Sequence, residues 1–161
     1  MTKLLLSLHV LAALVAIGPV TVAASMFPAT LRRVLGDDAD ADARTTLRTL
    51  HRICRVYAGI GIAVPLFGFV TAESLGVLGD AWLITSILLT AAAAGILALL
   101  ILPAQEDALT TTTDPAAAPP TPLNATPLNP ARLAMFTGVF NLLWATVTVL
   151  MIVRPGSTTG A

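Results

Sequence analysis

A histidine inside an apolar segment is the first residue of this sequence that could do chemistry. His9 stands within "KLLLSLHVLAALVAIGPV", residues 3–20, where nearly every neighbour is apolar. An imidazole paired with a methionine thioether can hold haem iron or copper, and Met151 is the candidate partner. With Glu73 and Asp80 instead, the same imidazole could bind a divalent metal ion or relay protons in a membrane. His9 therefore belongs to two candidate sites, a cofactor site with Met151 and a metal site with the two carboxylates.

Four apolar runs have the length that a helix needs to cross a lipid bilayer, about 17–25 residues. The composition agrees, because 56% of the 161 residues are hydrophobic and 11% are charged, whereas soluble domains carry about 25% charged residues. The sequence therefore predicts an all-α, polytopic membrane protein, a four-transmembrane-helix bundle that forms one domain over residues 1–161. The predicted helices cover residues 4–26, 53–72, 82–102 and 133–153.

The segments between these runs indicate how the bundle is oriented. A basic loop is expected at residues 27–52, a tight turn at 73–81, and a disordered linker rich in Pro and Thr at 103–130. The first and third segments, with the helix ends that join them, hold seven arginines, whereas the other side holds only Lys3 and Arg154. Because basic residues stay in the cytoplasm, the long connections are predicted on the cytoplasmic side of the membrane and both termini outside.

Three arginines of the basic loop share one helix face. Arg44, Arg48 and Arg52 recur at intervals of four residues, the spacing that aligns side chains along an α-helix. One interpretation is that they contact anionic lipid headgroups. The alternative is a solvated face that leads into the second membrane helix.

Small and polar residues form stripes on the first and fourth predicted helices. His9, Ala12 and Ala16 follow one another at spacings of three and four, so they lie on one helix face. Asn141 and Thr148 share a face of the fourth helix. Small residues let helices approach closely in lipid, and polar ones bond across helices. Ala12, Ala16, Asn141 and Thr148 are therefore predicted to pack between helices, and His9 is expected to face the bundle.

Several classes of function are disfavoured by the sequence. The net charge is zero, so there is no basic surface for nucleic acid. No phosphate-loop, dinucleotide-binding, zinc-protease, CxxC or nucleophile-elbow motif occurs, so an enzyme is not expected. A single haem held between His9 and His51 is excluded within one chain, because these residues lie about 25 Å apart along the bundle.

Several segments resemble a known family. The start "LLLSLHVLAALVAIGP", the segment "LHRICRVYAGIGIAVPLFGF" and the closing "VLMIVRP" look like bacterial four-helix membrane proteins of the domain of unknown function family 2269. The layout is similar, more distantly, to the membrane domains of CopD-type copper-resistance proteins. The resemblance covers nearly the whole chain. It implies the fold and a bacterial inner membrane, and it implies no activity.

Three functions follow as open alternatives. The first is a non-enzymatic accessory or interaction subunit that acts through helix–helix contacts, with the lipid bilayer and other membrane subunits or a second copy as partners. The second is a redox or metal-handling protein that binds haem b or copper through His9. The third is an oligomeric transporter of a small solute along Thr137, Asn141 and Thr148.

Overall fold

Six α-helices and one short π-helical segment make up the described part of the chain in this computed structural model. The structure describes residues 2–36, 41–113 and 129–156. The helices are α1 (Thr2–Leu35), α2 (Ala41–Ile60), α3 (Ala63–Leu75), α4 (Ala81–Ile96), α5 (Leu102–Thr113) and α6 (Pro130–Val153), with the π-helical segment Leu97–Ile101 between α4 and α5.

These helices form four spanning units, because α2 is followed directly by α3 and α4 continues through the π-helical segment into α5. Each unit contains a stretch that is long and apolar enough to cross a membrane. The prediction of an all-α polytopic membrane protein is therefore confirmed. The four units cover Lys3–Leu35, Ala41–Leu75, Ala81–Thr112 and Pro130–Val153.

The helices extend further than predicted at one end of the bundle. α1 runs to Leu35 and α2 begins at Ala41, so most of the predicted basic loop 27–52 is helical. α5 continues to Thr113, so the first part of the predicted disordered linker is helical as well. Linker residues 114–128 lie outside the described part of the chain, and the last linker residue, Pro130, begins α6.

The helical extension has an apolar core of its own. α2 buries Ala43, Leu47 and Leu50 on one face, and they belong to the same buried cluster as Phe27 and Leu31 of α1. A helix with one apolar and one polar face is stabilised by burying the apolar face against a neighbour. Such a helix has no long apolar run, which is why counting apolar runs predicted a loop here.

α1 is the central helix of the bundle. It packs against α2, α3 and α6, whereas α4 packs mainly against α6. Gly76, at φ 68°, ends α3 in the left-handed conformation that glycine adopts readily, and the chain then turns into α4. Because α3 packs chiefly on α1 and α4 chiefly on α6, a cleft separates α3 from α4 at membrane depth.

Two of the spanning units are interrupted inside the membrane region. α2 and α3 are separated by Gly61 and Ile62, which form a turn. Pro65 explains the position of this break, since its ring clashes with the carbonyl of the residue four positions earlier, Gly61. The third unit contains the π-helical segment Leu97–Ile101, a local widening of the helix.

Candidate functional site

His9 makes a polar contact between α1 and α3. Its Nδ1 lies 2.9 Å from the backbone carbonyl oxygen of Val64. A carbonyl oxygen can only accept, so Nδ1 carries the proton and donates it. In the neutral ring, Nε2 is therefore the nitrogen with the free lone pair.

Gly68 provides the space that the imidazole occupies. A Cβ atom at this position would lie 2.8 Å from Cε1 and 3.1 Å from Nδ1 of His9. Atoms that are not bonded do not approach so closely, so a larger residue would displace the ring or the helix. Sequence reasoning missed the pairing of Gly68 with His9. The available signal was a glycine one helical turn after the accepting residue, Val64.

The structure does not bring His9, Glu73 and Asp80 into one metal site. Within residues 2–36, 41–113 and 129–156, no group of three or more His, Cys, Asp or Glu side chains could hold a metal ion. His9 lies at the level of Val64, which is nine residues before Glu73 on α3, or about 13 Å along the helix axis. Asp80 instead accepts a hydrogen bond of 2.9 Å from the indole nitrogen of Trp82.

Met151 lies in a small cluster near the turn between α3 and α4. It packs with Ala72, Trp82 and Leu83. The guanidinium carbon of Arg154 lies 5.7 Å from the centre of the Trp82 ring, within cation–π distance. Met151 and His9 thus have different immediate surroundings, and their pairing at a cofactor stays a prediction.

A second polar contact joins α2 to α5. The amide of Gln105 is fully buried; its Oε1 lies 3.2 Å from Nδ1 of His51, and its Nε2 donates to Sγ of Cys54 at 3.7 Å. A buried amide without such partners would destabilise the fold. Sequence reasoning missed Gln105, because position 105 fell in the predicted disordered linker.

Of the four residues predicted to pack between helices, three are at least half-buried and the fourth, Thr148, is exposed. Ala16 is buried and Ala12 is half-buried. Asn141 donates from Nδ2 to the hydroxyl of Ser25 at 3.1 Å, a hydrogen bond between α6 and α1. Thr148 is exposed, because α1 covers this face of α6 at Asn141 and not two turns further on. Within a single chain, Thr148 is therefore not a packing residue.

The predicted solute path is not formed within one chain. Thr137 is buried against α1, and its hydroxyl donates to the carbonyl of Leu133 at 3.0 Å. Thr148 is exposed on the outside of the bundle. The two hydroxyls therefore do not face a common space, although they lie on the same side of α6.

The predicted headgroup-binding arginines lie on the exposed face of α2. Arg44, Arg48 and Arg52 are all exposed, and they lie on the side of the helix away from its buried apolar residues. The three arginines form a row along α2, so they share one helix face, as the sequence predicts.

The fold and the apolar spans define a multi-pass integral membrane protein. A family model described as a predicted integral membrane protein, DUF2269, matches residues 3–155. The chain belongs to this family, whose function is unknown, and the resemblance inferred from the sequence is confirmed. No curated protein and no solved structure matches the chain.

Proposed function

We propose that this protein is a non-enzymatic accessory subunit of the bacterial cytoplasmic membrane that contacts another membrane subunit or a second copy through its helices. The observation that supports this is a stripe of small exposed residues on α6, formed by Ala134, Gly138 and Ala145. A Cβ atom at Gly138 would meet nothing within 4 Å in this chain. Small residues at such positions allow the backbone of another helix to approach closely in lipid.

Asn141 adds a polar group to the same stripe. Its Nδ2 bonds to Ser25, whereas its Oδ1 is buried and has no hydrogen-bond partner among the described residues. An unsatisfied amide oxygen is costly at membrane depth, where water is absent. A rotation of the Asn141 side chain toward the stripe would let a hydroxyl or amide donor on a neighbouring helix supply the missing hydrogen bond, worth about 0.6–2 kcal/mol.

The substitution Gly138→Leu tests this proposal, with Gly18→Leu as its matched control. Both glycines are exposed on spanning helices and have open space at the Cβ position, and leucine favours the helix, so folding is not impaired. We expect native mass spectrometry of particles extracted from the membrane to show an assembly heavier than the 16.6 kDa monomer. Gly138→Leu should weaken that assembly by roughly tenfold, and Gly18→Leu should leave it intact. Recovery of the wild type only as a monomer would contradict the proposal.

A second candidate function is the binding of haem b or copper by His9. It is supported by the tautomer of the neutral imidazole, in which Nδ1 carries the proton. Nε2 has the free lone pair that a metal ligand requires, because Nδ1 donates to the carbonyl of Val64. Ligating histidines usually donate their other ring nitrogen in this way. The other two roles of His9 considered from the sequence, proton relay and divalent metal binding, would need carboxylates grouped around the imidazole, and the described residues contain no such group.

Visible absorption and elemental analysis of the detergent-purified protein test this candidate. Binding predicts a Soret band or stoichiometric copper in the wild type, and its loss in His9→Ala. The matched control is His51→Ala, since His51 is the other histidine of the chain and already bonds to Gln105. Wild-type protein with neither haem nor metal would rule this function out.

A further inference from the structure

All four spanning units border one apolar cleft at membrane depth. The cleft has a volume of about 170 Å³ and is open on one side. Ala16 of α1, Pro65 of α3, Ala94 of α4 and Phe140 of α6 are among the residues that line it. Apolar cavities of about 150 Å³ stay dry in proteins, so the cleft calls for an apolar occupant.

The interruption of the second spanning unit gives the cleft its shape. Before the break at Gly61 and Ile62, α2 contacts α5, whereas α3, after the break, packs chiefly on α1. The second and third units therefore separate here, and both residues of the break line the space between them. Their N–H groups bond to the carbonyls of Tyr57 and Gly59 in the preceding turn. These two groups therefore need no acceptor from the cleft, which agrees with an apolar occupant.

The open side of the cleft faces the lipid. Among the lining residues, Ile62 is 63% exposed and Ala94 is exposed as well, so the opening lies between the second and third spanning units. Toward the end that holds the arginines of α2, the hydrogen bond of Gln105 to Cys54 closes the space between α5 and α2. Molecules therefore enter the cleft from the bilayer, and lipid acyl chains are the apolar molecules present at this depth.

The cleft adjoins an arginine on the surface of α2. Ala58 lines the cleft and comes three residues after Arg55, so the two are surface neighbours with Cβ atoms about 5–6 Å apart. Gly59 lies on the same face, is exposed, and a Cβ atom there would meet nothing within 4 Å. An acyl chain can therefore pass from the level of Arg55 into the cleft without meeting a bulky side chain of α2.

Arg52 and Arg55 form a basic pair at the end of the second apolar span, where lipid headgroups lie. Both side chains are exposed, and neither forms an ion pair or hydrogen bond with a described residue, Glu106 and Asp107 of the adjacent α5 included. Arginine donates two parallel N–H groups to phosphate oxygens, and basic groups beside membrane spans attract anionic lipids. The pair therefore offers a place for a lipid phosphate directly next to the cleft.

We propose that this surface binds one anionic phospholipid, with its phosphate on Arg52 and Arg55 and one acyl chain in the cleft. The two parts of the site match the two parts of the lipid, and Ala58 and Gly59 join them. Neither part is selective alone, because any acyl chain can enter an apolar cleft and any surface arginine can meet a headgroup. Together they select a molecule that carries both an anionic headgroup and a chain.

Native mass spectrometry of the purified full-length protein in detergent counts the bound lipids. The protein is titrated with phosphatidylglycerol and, separately, with phosphatidylcholine that has the same acyl chains. The proposal predicts one tightly bound phosphatidylglycerol per chain and at least fivefold weaker binding of phosphatidylcholine, since each arginine near the membrane surface contributes a factor of about five. Equal affinity for the two lipids would overturn the proposal.

Two substitutions test the two parts of the site separately. Ala94→Phe fills the cleft, and its matched control is Ala92→Phe, because Ala92 is exposed on the same helix and does not line the cleft. Arg55→Gln removes one charge, and its control is Arg44→Gln, because Arg44 is exposed on the same helix but lies about 16 Å from Arg55 along the axis. Phosphatidylglycerol binding should weaken about tenfold in Ala94→Phe and about fivefold in Arg55→Gln, and the controls should leave it unchanged.

Three results with these variants would overturn the proposal. Unchanged binding in Ala94→Phe would place the lipid on the arginines alone, outside the cleft. Unchanged binding in Arg55→Gln would show that the chain enters the cleft without help from the headgroup. An assembly that loses a protein subunit only in Ala94→Phe would make a helix of another subunit the occupant of the cleft.

Discussion

The imidazole of His9 occupies the space that a side chain at position 68 would need. Its hydrogen bond to Val64 O and its contact with Gly68 fix the distance between α1 and α3. In a membrane, a polar contact of this kind contributes about 0.6 kcal/mol on average and up to about 1.7 kcal/mol. The hydrogen bond alone is therefore a modest term, and the close fit of the ring against Gly68 is a separate, steric feature of the contact.

This packing leads to a prediction about coupled substitutions. Gly68→Ala should destabilise the bundle by about 1–3 kcal/mol, the usual cost of forcing an extra carbon into a packed site. His9→Ala alone should cost about 0.6–1.7 kcal/mol. Alanine at position 9 leaves room for the added methyl group at position 68. The double variant should therefore lose less free energy of unfolding than the sum of the two single losses. Unfolding titrations in mixed micelles, arranged as a double-mutant cycle, measure this difference. Strict additivity would show that the two side chains do not compete for space.

At the scale of helices, α2 carries its arginines from the membrane surface into water. α2 is continuous over Ala41–Ile60, and Arg44 lies eleven residues before Arg55, or about 16 Å along the axis. The headgroup layer on each side of a bilayer is only about 5–8 Å thick. With Arg55 at the end of the apolar span, Arg52 lies at headgroup depth and Arg44 lies beyond it. The headgroup interpretation therefore fits Arg52 better than Arg44.

Spin labels can test this depth assignment. Cysteines introduced as Arg44→Cys and Arg52→Cys carry the label in lipid vesicles, each in a Cys54→Ser background, which keeps an acceptor for the buried Gln105 amide. We expect the label at position 44 to collide freely with a water-soluble nickel complex, and the label at position 52 to be several-fold less accessible. Equal accessibility at both positions would mean that α2 lies along the membrane surface instead of projecting from it.

For the whole molecule, the helical extension gives the bundle two different ends. A spanning unit of 35 residues exceeds the roughly 20 residues that cross the hydrocarbon. The remaining length, about 20 Å of helix, projects at the end that holds α5 and the arginines of α2. The opposite end consists of the short turn between α3 and α4 and the ends of α1 and α6.

The arginine distribution predicts that this extension is cytoplasmic and that both termini are outside. Gly79→Cys, in the turn between α3 and α4, should react with a membrane-impermeant maleimide in intact cells. Glu106→Cys, on the exposed side of α5, should react only after the cells are permeabilised. Both positions are exposed, so accessibility within the protein does not distinguish them. A Cys54→Ser background removes the native thiol and keeps an acceptor for Gln105. The reverse labelling pattern would contradict the orientation.

Some features of this protein could be read from single segments of the chain. The four apolar runs predicted the four spanning units, because burial in lipid depends on the hydropathy of consecutive residues. The family could be identified from the same segments. For the helical extension, the arginine spacing predicted a helix face before the second span, but it did not predict that the opposite, apolar face of α2 packs against α1.

The sequence by itself thus determined the class of protein, its spanning segments and its family, since each depends on residues that are close together in the chain. Tertiary structure alone decided which groups meet. His9 was predicted near Glu73 and lies instead at Val64 and Gly68. The cleft likewise combines residues of every spanning unit, from Ala16 to Trp144. Such contacts depend on how helices cross and how deep each residue lies, and neither is encoded in the local pattern of apolar and polar residues.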